Sequence, residues 1–298
     1  MNRIRKKLNL DAIHRSGITG RGVNIAILDT GIYRHRDLSG NIVKFVDFVN
    51  MRSKPYDDNS HGTHVAGIIS SSGAASDGLY RGVAPGSGII SLKVLDYKGG
   101  GDSATMIKAL EWIKSNREKY SIRIVNISVG TESSSCQSEY SRLIDVVEDL
   151  WDDGLTVITS AGNNGPAYHT ITIPGTSRKV ITVGTDDVMT HTDSKGIRHH
   201  TYSSKGPTMC DVPKPDIIAP GSNIISCYNG YGNYISKSGT SMSTPIVSGA
   251  AALVLSYNKA LSNDDFKKLL CKSADDAGLD YYTQGCGRLN ISKMLLLC

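Results

Sequence analysis

The sequence predicts an α/β fold with a mostly parallel central sheet and helices on both faces. Short apolar runs alternate along the chain with longer segments whose apolar residues have helical spacing, which is the pattern of strand–helix–strand crossovers. The 298 residues are 39% hydrophobic and 20% charged, a composition typical of a globular protein with a large core. No linker, repeat or low-complexity tract divides the chain, so we expect one domain over residues 1–298.

The predicted elements follow one another from the N-terminus. The apolar runs that read as buried strands are Val23–Leu28, Gly88–Leu95, Ile122–Ile127, Leu155–Thr159 and Val180–Val183. Between them lie three predicted helices, Gly62–Ser70, Ser103–Arg117 and Ser138–Trp151. Such crossovers are right-handed and place helices on both faces of the sheet.

The C-terminal part predicts two further helices. Thr240–Tyr257 is long, apolar and free of charged residues, so we expect it to be buried. Ser262 is placed to cap an amphipathic helix that runs through Cys271. At the other end of the chain, residues 1–18 form an N-terminal extension whose basic run, Arg3 to Lys7, we expect to be frayed and solvated.

Net charge and apolar patterning exclude several function classes. The formal charge is +5, and no basic stripe with interleaved aromatics indicates nucleic-acid binding. No run reaches the roughly 18 apolar residues that a membrane span needs, and the N-terminus lacks the apolar stretch of a secretory signal. If Met1 is the native start, we expect a cytoplasmic protein; a trimmed, secreted mature form is the alternative.

The six cysteines predict no metal or redox centre. None forms a CxxC pair, which argues against zinc and thioredoxin-like chemistry. Three disulfides would suit a secreted protein, but we expect scattered reduced thiols in a chain without a signal segment. The cysteines are Cys136, Cys210, Cys227, Cys271, Cys286 and Cys298.

Three segments carry an acid, a base and a nucleophile. Asp29 ends a predicted buried strand, His61 enters a helix of small residues, and Ser241 lies where a glycine turn becomes a helix. A serine hydroxyl needs an adjacent base at neutral pH, and histidine suits that task. A buried carboxylate fixes the imidazole tautomer and stabilises the imidazolium that forms.

A fourth segment, residues 159–165, supplies an amide side chain after a predicted strand. Asn163 in this segment can donate a hydrogen bond to an oxyanion, next to the backbone N–H groups at the Ser241 helix terminus. In this order the four segments resemble the subtilisin family of serine peptidases, from about Gly20 to Arg288. The resemblance implies a subtilisin-like three-layer fold and hydrolysis of peptide bonds.

Carried over residue by residue, the resemblance implies four catalytic roles. Asp29 orients His61, His61 is the general base and acid, and Ser241 is the nucleophile. Asn163 and the Ser241 backbone N–H form the oxyanion hole. His64, three residues after His61, is expected to be a packed helix residue and not a metal ligand.

The resemblance also implies two edges that hold a peptide as an added strand. One is Gly99, Gly100 and Gly101; the other is Ser128, Val129 and Gly130. The alternative is that both are ordinary turns. Thr172 is expected near the floor of the specificity pocket, with Ala161 and Gly162 along its walls; because no acid stands among these three, we expect an apolar preference before the scissile bond.

Departures from the family pattern affect ligands and control. The family's calcium loop corresponds to Ser70–Arg81, which contains one carboxylate, Asp77, and no asparagine, so we expect that site to be absent or altered. Asp57, Asp58 and Asn59 precede His61, and we expect them to line the cleft or face solvent. We therefore predict no certain cofactor and no metal ligand, with calcium left open.

Two further departures concern an insertion and the start of the chain. Met189–His200 is longer than in compact family members and carries His191, His199 and His200, so it predicts an exposed loop or hairpin. The sequence holds no recognisable prodomain. We expect a peptide or protein substrate, and the oligomeric state is left open.

Two alternative functions remain at this point. A peptide ligase would use the same acyl-enzyme but exclude water, for which residues 189–200 are the candidate lid. A peptide-binding pseudopeptidase would lack one of the four catalytic groups, but all four residue types are present.

Overall fold

A computed structural model describes residues 1–139, 141–186, 191–192, 198–199 and 202–298 of the chain. Its centre is a seven-stranded sheet in the order β2-β3-β1-β4-β5-β6-β9, and all neighbouring strands are parallel. The strands are β1 (Asn24–Asp29), β2 (Ile42–Asp47), β3 (Gly88–Lys93), β4 (Ile122–Ile127), β5 (Thr156–Ser160), β6 (Ile181–Thr185), and, after two short strands given below, β9 (Ile217–Ala219). The predicted α/β fold is confirmed.

Helices surround this sheet. They are α1 (Asn2–Lys7), α2 (Leu10–Arg15), α3 (His61–Ser70), α4 (Ser103–Asn116), α5 (Arg142–Asp152), α6 (Thr240–Tyr257), α7 (Asn263–Ser273), α8 (Tyr281–Gln284) and α9 (Ile291–Leu297). Helix α6 packs against α3 and five strands of the sheet, and α4 packs against α5. As its apolar sequence predicted, nearly all of α6 is buried. Among the described residues, no helix combines the length and apolar character needed to cross a bilayer.

Two antiparallel strand pairs complete the fold. The first pairs β7 (His191–Thr192) with β8 (Arg198–His199), so the predicted loop or hairpin at Met189–His200 contains a short hairpin. The rest of that loop, including His200, lies outside the described residues, as do the side chains of His191 and His199. The second pairs β10 (Ile224–Cys227) with β11 (Tyr234–Lys237) and packs against α3.

The sheet order places a crevice between β1 and β4. The chain leaves β1 toward β2 and β3 on one side, and leaves β4 toward β5 and β6 on the other. Ligands of open parallel sheets bind where the connections diverge in this way, outside the carboxyl ends of the strands. Asp29 is the last residue of β1 and Ser128 follows β4, so both lie at this crevice.

The N-terminal segment is ordered, and the prediction of a frayed end was wrong. Ile4, Leu8 and Leu10 are buried in the core cluster. The basic residues of the run are also held: Lys7 pairs with Asp186 at 2.9 Å, and Arg5 pairs with Asp11. The spacing of Ile4 and Leu8, four residues apart, is typical of a helix with one buried face. The charged residues around them led us to expect a solvated segment instead.

Four of the six cysteines are paired, and the prediction of scattered reduced thiols was wrong. Cys136 bonds to Cys210 with 4.9 Å between the Cα atoms, and Cys271 bonds to Cys286 with 5.1 Å. Cys227 is free and buried, and Cys298 is free. Wide spacing in the sequence concealed the first pair because 74 residues separate two positions that the fold brings together.

Candidate active site

His61 and Asp29 form a close pair at the crevice. The Nδ1–H of His61 donates to both carboxylate oxygens of Asp29, at 2.7 and 2.9 Å. The Asp29 side chain is 1% exposed and that of His61 is 23% exposed, so the acid is buried behind a base that reaches the cleft. The carboxylate thus fixes the tautomer that leaves Nε2 free toward the cleft.

Opposing influences set the pKa of His61. Burial is the largest single influence and acts to lower it, but the charge of Asp29 and its hydrogen bond together outweigh burial, so the pKa of His61 lies above its ordinary value. An imidazolium formed during a reaction would be stabilised by the same contact.

The start of helix α3 is tied to the end of β1 by Asp57 and Thr30. The buried carboxylate of Asp57 accepts hydrogen bonds from the Thr63 backbone and hydroxyl, from the Ser60 N–H and from the Thr30 hydroxyl, at 2.6 to 2.9 Å. The Thr30 hydroxyl in turn accepts from Gly62 N–H at 2.9 Å. The prediction that Asp57 lines the cleft or faces solvent was wrong: it is an internal anchor for the helix that carries His61.

Asp58 and Asn59, the two residues that follow Asp57, have different surroundings. Asp58 forms an ion pair with the fully buried Lys93 at 2.7 Å, and Asn59 lines the cleft. Lys93 also donates to the carbonyl oxygens of Thr30 and Leu95, so it joins the ends of β1 and β3. Because an ammonium inside an otherwise apolar strand needs partners, these bonds account for its burial.

His64 is a packed residue, as predicted. It is fully buried, and its Nε2–H donates to the carbonyl oxygens of Ile224 (2.9 Å) and Ile235 (3.1 Å). Burial lowers the pKa of His64 to about 3, so the ring is neutral. Its role is to fix the β10–β11 hairpin against α3.

Ser241 lies at the start of helix α6, directly after a glycine turn. It is the second residue of α6, preceded by Gly239 with a φ of +148°. It lines the same cleft, of about 450 Å³, as His61. Within the described part of the chain its hydroxyl makes no hydrogen bond to His61; such contacts often tighten only when substrate binds.

Asn163 and the Ser241 backbone N–H flank one small space. The Asn163 Oδ1 accepts from the Thr240 N–H at 2.9 Å and from the Thr240 hydroxyl at 3.1 Å, which fixes the orientation of the amide. A Cβ added at Gly239 would lie 3.3 Å from Asn163 Nδ2 and 3.7 Å from Ser241 N. Glycine therefore keeps open a site that two N–H donors border.

The predicted substrate residues lie in two adjoining cavities. Gly99, Ser128, Val129, Gly130, Gly162 and Thr172 line the 450 Å³ cleft. Gly100 and Gly101 instead line a neighbouring cavity of about 250 Å³, together with Val129 and Gly130. Ala161 is fully buried behind the cleft, where its carbonyl accepts from the Thr172 N–H at 2.9 Å.

A narrow pocket surrounds Thr172. A Cβ at Gly130 would lie 2.6 Å from the Thr172 hydroxyl, and one at Gly162 would lie 2.6 Å from its methyl group. Two glycines are therefore required for the backbone to approach Thr172 from both sides.

Sequence reasoning missed several residues of the cleft. Thr240 holds Asn163, Thr30 contributes to the floor near His61, and two charged side chains, Lys98 and Glu132, line the opening. Glu132 brings a carboxylate to this cleft, whereas the three residues predicted to form the specificity pocket include no acid. Its position two residues after Gly130 was the available signal.

The segment that corresponds to the family's calcium loop does not fit that ion. Arg5 donates to the carbonyl oxygens of Gly78 and Leu79, which are the type of oxygen that calcium prefers. Asp37 accepts from the Ala75 N–H at 2.7 Å, so its carboxylate closes the loop directly. Asp77, the one carboxylate within the loop, is exposed.

A second polar cluster is also internally bonded. His35, Asp37 and Cys227 are the group of three metal-ligand types that the described residues bring within 4.8 Å. Asp37 N–H donates to His35 Nδ1 at 3.1 Å, and His35 Nε2–H donates to the Asn233 carbonyl at 3.0 Å. Both ring nitrogens are therefore in use, and we assign the cluster a structural role.

Comparison with known proteins decides the family. The model of the subtilase family matches residues 20–288. The chain belongs to the subtilase family. It therefore falls among serine-type endopeptidases, whose substrates are peptides or proteins.

Individual subtilases match over most of the chain. Serine protease AprX of Bacillus subtilis (strain 168) is 44% identical over 275 residues, 87% of this chain and 62% of AprX. Subtilisin Savinase of Lederbergia lenta is 35% identical over 272 residues, 91% of this chain and 90% of Savinase. The chain thus spans less than two thirds of AprX but nearly all of Savinase.

Solved subtilase structures agree with the fold. The structure of sphericase superposes with a TM-score of 0.77 at 29% identity, covering 91% of this chain and 92% of that one. The predicted subtilisin-like fold is confirmed.

Proposed function

We propose that this subtilase hydrolyses internal peptide bonds through an acyl-enzyme on Ser241. The observation that carries the proposal is the buried Asp29 carboxylate held 2.7 Å from His61 Nδ1, with Ser241 in the same cleft. Family membership supports a serine endopeptidase, and this arrangement supports the assignment of each role.

In the proposed reaction His61 Nε2 takes the proton of Ser241 as its Oγ attacks the peptide carbonyl. The oxyanion occupies the space between Asn163 Nδ2 and Ser241 N–H, and both donors are fixed before substrate arrives. His61 then gives its proton to the leaving amine, and water repeats the sequence on the acyl-enzyme. Asp29 stabilises the imidazolium in both halves.

The substrate is proposed to lie as a strand between the Gly99–Gly101 and Ser128–Gly130 edges. Both edges line the joined cavities, and their glycines allow backbone hydrogen bonding to a peptide. The side chain before the scissile bond enters the pocket at Thr172. Its narrow walls at Gly130 and Gly162 support a preference for an apolar side chain, while Glu132 at the opening adds a negative charge.

We further propose that the enzyme works without calcium at the Ser70–Arg81 loop. Two contacts support this. Arg5 donates to the Gly78 carbonyl oxygen, which a cation would otherwise need as a ligand, and Asp37 holds the loop by accepting from the Ala75 N–H. A cytoplasmic location stays a prediction, and two disulfides weigh against a reducing compartment.

Product analysis tests the proposed reaction. Incubation with a defined peptide mixture and mass spectrometry should yield internal cleavage products that carry new free carboxylates. Ser241→Ala should yield none above background. Spliced or cyclic products would favour a ligase, and equal products from both proteins would contradict the assignment of Ser241.

A further inference from the structure

Lys93 is a fully buried lysine beside the acid of the proposed site. It is the last residue of β3, and in the parallel pairing of β3 with β1 its register partner is Asp29, the last residue of β1. Lysine is almost never buried completely unless its charge is paired. The partners of the ammonium therefore determine what a buried charge does next to Asp29.

The ammonium of Lys93 joins three separate segments of the chain. Its three N–H donors meet three oxygens: the Thr30 carbonyl at 2.7 Å, the Leu95 carbonyl at 2.8 Å and the Asp58 carboxylate at 2.7 Å. A lysine has three donors, so all of them are used. An apolar side chain of similar length would leave two buried carbonyl oxygens unpaired.

The first contact reaches the acid through Thr30. The backbone N–H of Thr30 donates to Asp29 Oδ1 at 2.7 Å, and the same oxygen accepts from His61 Nδ1 at 2.7 Å. The Thr30 hydroxyl accepts from the N–H of Gly62, the residue after His61, at 2.9 Å. By holding the Thr30 carbonyl, Lys93 therefore fixes the residue that orients the Asp29 carboxylate.

The second contact holds the loop that leads to the base. Asp58 lies three residues before His61, and its side chain is 35% exposed. The next residue, Asn59, accepts from the His61 N–H through Oδ1 at 3.2 Å. Because Lys93 ties Asp58 to the end of β3, this loop keeps His61 at a fixed distance from Asp29.

The third contact reaches a proposed substrate edge. Leu95 lines the 450 Å³ cleft, and the turn that follows it closes when Asp96 Oδ1 accepts from the Gly100 N–H at 2.9 Å. The edge at Gly99–Gly101 thus starts from a carbonyl that Lys93 holds. One ammonium therefore connects the acid, the base and one wall of the cleft.

We propose that Lys93 is a positioning residue for the reaction, whose ammonium holds Asp29 and His61 in their reactive arrangement. The proposal rests on the function proposed above and adds a residue to it. Because Lys93 is fully buried, it cannot touch substrate. A displacement of reacting groups by about 1 Å costs about 100-fold in rate, so loss of Lys93 should lower kcat by about 10- to 100-fold. KM for a short p-nitroanilide substrate should change less than about two-fold.

The test compares Lys93→Met with Lys214→Met. Lys214 is the matched control, because it is also buried, pairs with Asp216 at 2.6 Å and donates to the Val180 carbonyl at 2.8 Å. Val180 precedes β6, so this pair lies at the amino end of the strand, away from the crevice. The kcat is divided by the number of active sites that a fluorophosphonate titrates, so that loss of folded protein does not lower it.

A second readout observes the hydrogen bond between His61 and Asp29 directly. A strongly bonded imidazole N–H gives a proton NMR resonance far downfield of the backbone amides, and His61→Ala identifies it by its loss. In Lys93→Met this resonance should shift or broaden and kcat per titrated site should fall, whereas Lys214→Met should change neither. Equal kcat per site in the two variants, with an unshifted resonance in Lys93→Met, would overturn the proposal.

A second pair of variants decides the matter if Lys93→Met does not fold. Asp58→Ala removes one oxygen partner of Lys93 at a partly exposed position, and Asp58→Asn keeps an oxygen there. Asp58→Ala should lower kcat per site, and Asp58→Asn should restore most of the loss. A kcat of Asp58→Ala equal to that of the wild type would overturn the proposal. A wild type with no titratable active site would instead overturn the proposed function.

Discussion

Removal of the Cys136–Cys210 disulfide should destabilise the enzyme and loosen one edge of its cleft. The bond closes a loop with a sequence separation of 74 residues. The entropy of closing such a loop corresponds to about 4.5 kcal/mol at 25 °C, and the 15-residue separation of Cys271–Cys286 to about 3 kcal/mol. For a domain of this size, loss of the first bond should lower the thermal midpoint by roughly 10 °C.

The effect on activity follows from where Cys136 lies. It is six residues after Gly130, the end of one proposed substrate edge, and Glu132 stands between them. Without the Cys136–Cys210 disulfide, KM for extended peptides should rise, because the substrate edge that binds them is held less firmly. The kcat for a small ester that does not reach this edge should change little.

The assay combines thiol labelling with thermal unfolding. Protein made in an oxidising compartment, denatured and alkylated without reductant should carry label on Cys227 and Cys298, and on all six cysteines after reduction. The double variant Cys136→Ser with Cys210→Ser is compared with Cys298→Ser, which removes an unpaired thiol. Labelling of Cys136 before reduction, or equal thermal midpoints for the two variants, would refute the reasoning.

Three further predictions concern the site and the N-terminal helix. Asn163→Ala should lower kcat by about 10²- to 10³-fold with little change in KM, because the amide acts on the oxyanion; equal losses in binding would contradict this. Asp29→Asn should lower kcat by about 10⁴-fold, the magnitude typical of this substitution in serine peptidases, and should move the acidic limb of the pH–rate profile downward. The sign follows because Asp29 raises the pKa of His61, and activity is lost as pH falls through that pKa. Arg5→Gln should lower the free energy of unfolding by about 1–2 kcal/mol, whereas a calcium chelator should leave the wild-type thermal midpoint unchanged; a chelator-sensitive wild type would show that calcium is bound.

The sheet was readable from the sequence because its inner strands are continuous apolar runs. Gly88–Leu95 predicted β3, although that run contains Lys93, whose burial depends on partners in other segments. Helix α5 begins at Arg142 and not at Ser138, because Cys136–Glu139 forms a 3₁₀ turn there. Strand β2 was missed, since its alternating half-buried residues gave no such run.

The candidate site was readable because its residues follow strand ends or begin helices. Asp29, His61, Asn163 and Ser241 each occupy a position that strand order converts into one crevice. Contacts between distant segments could not be predicted from any local sequence pattern. One of them is the hydrogen bond from the Thr240 N–H to the Asn163 side chain, across 77 residues of sequence.

The most direct measurement of the central claim is covalent labelling by a fluorophosphonate probe, with the modified residue located by peptide mass spectrometry. The account predicts one label, on Ser241, that is absent in Ser241→Ala and strongly slowed in His61→Ala. A folded wild-type protein that stays unlabelled, or carries the label on another serine, would contradict it.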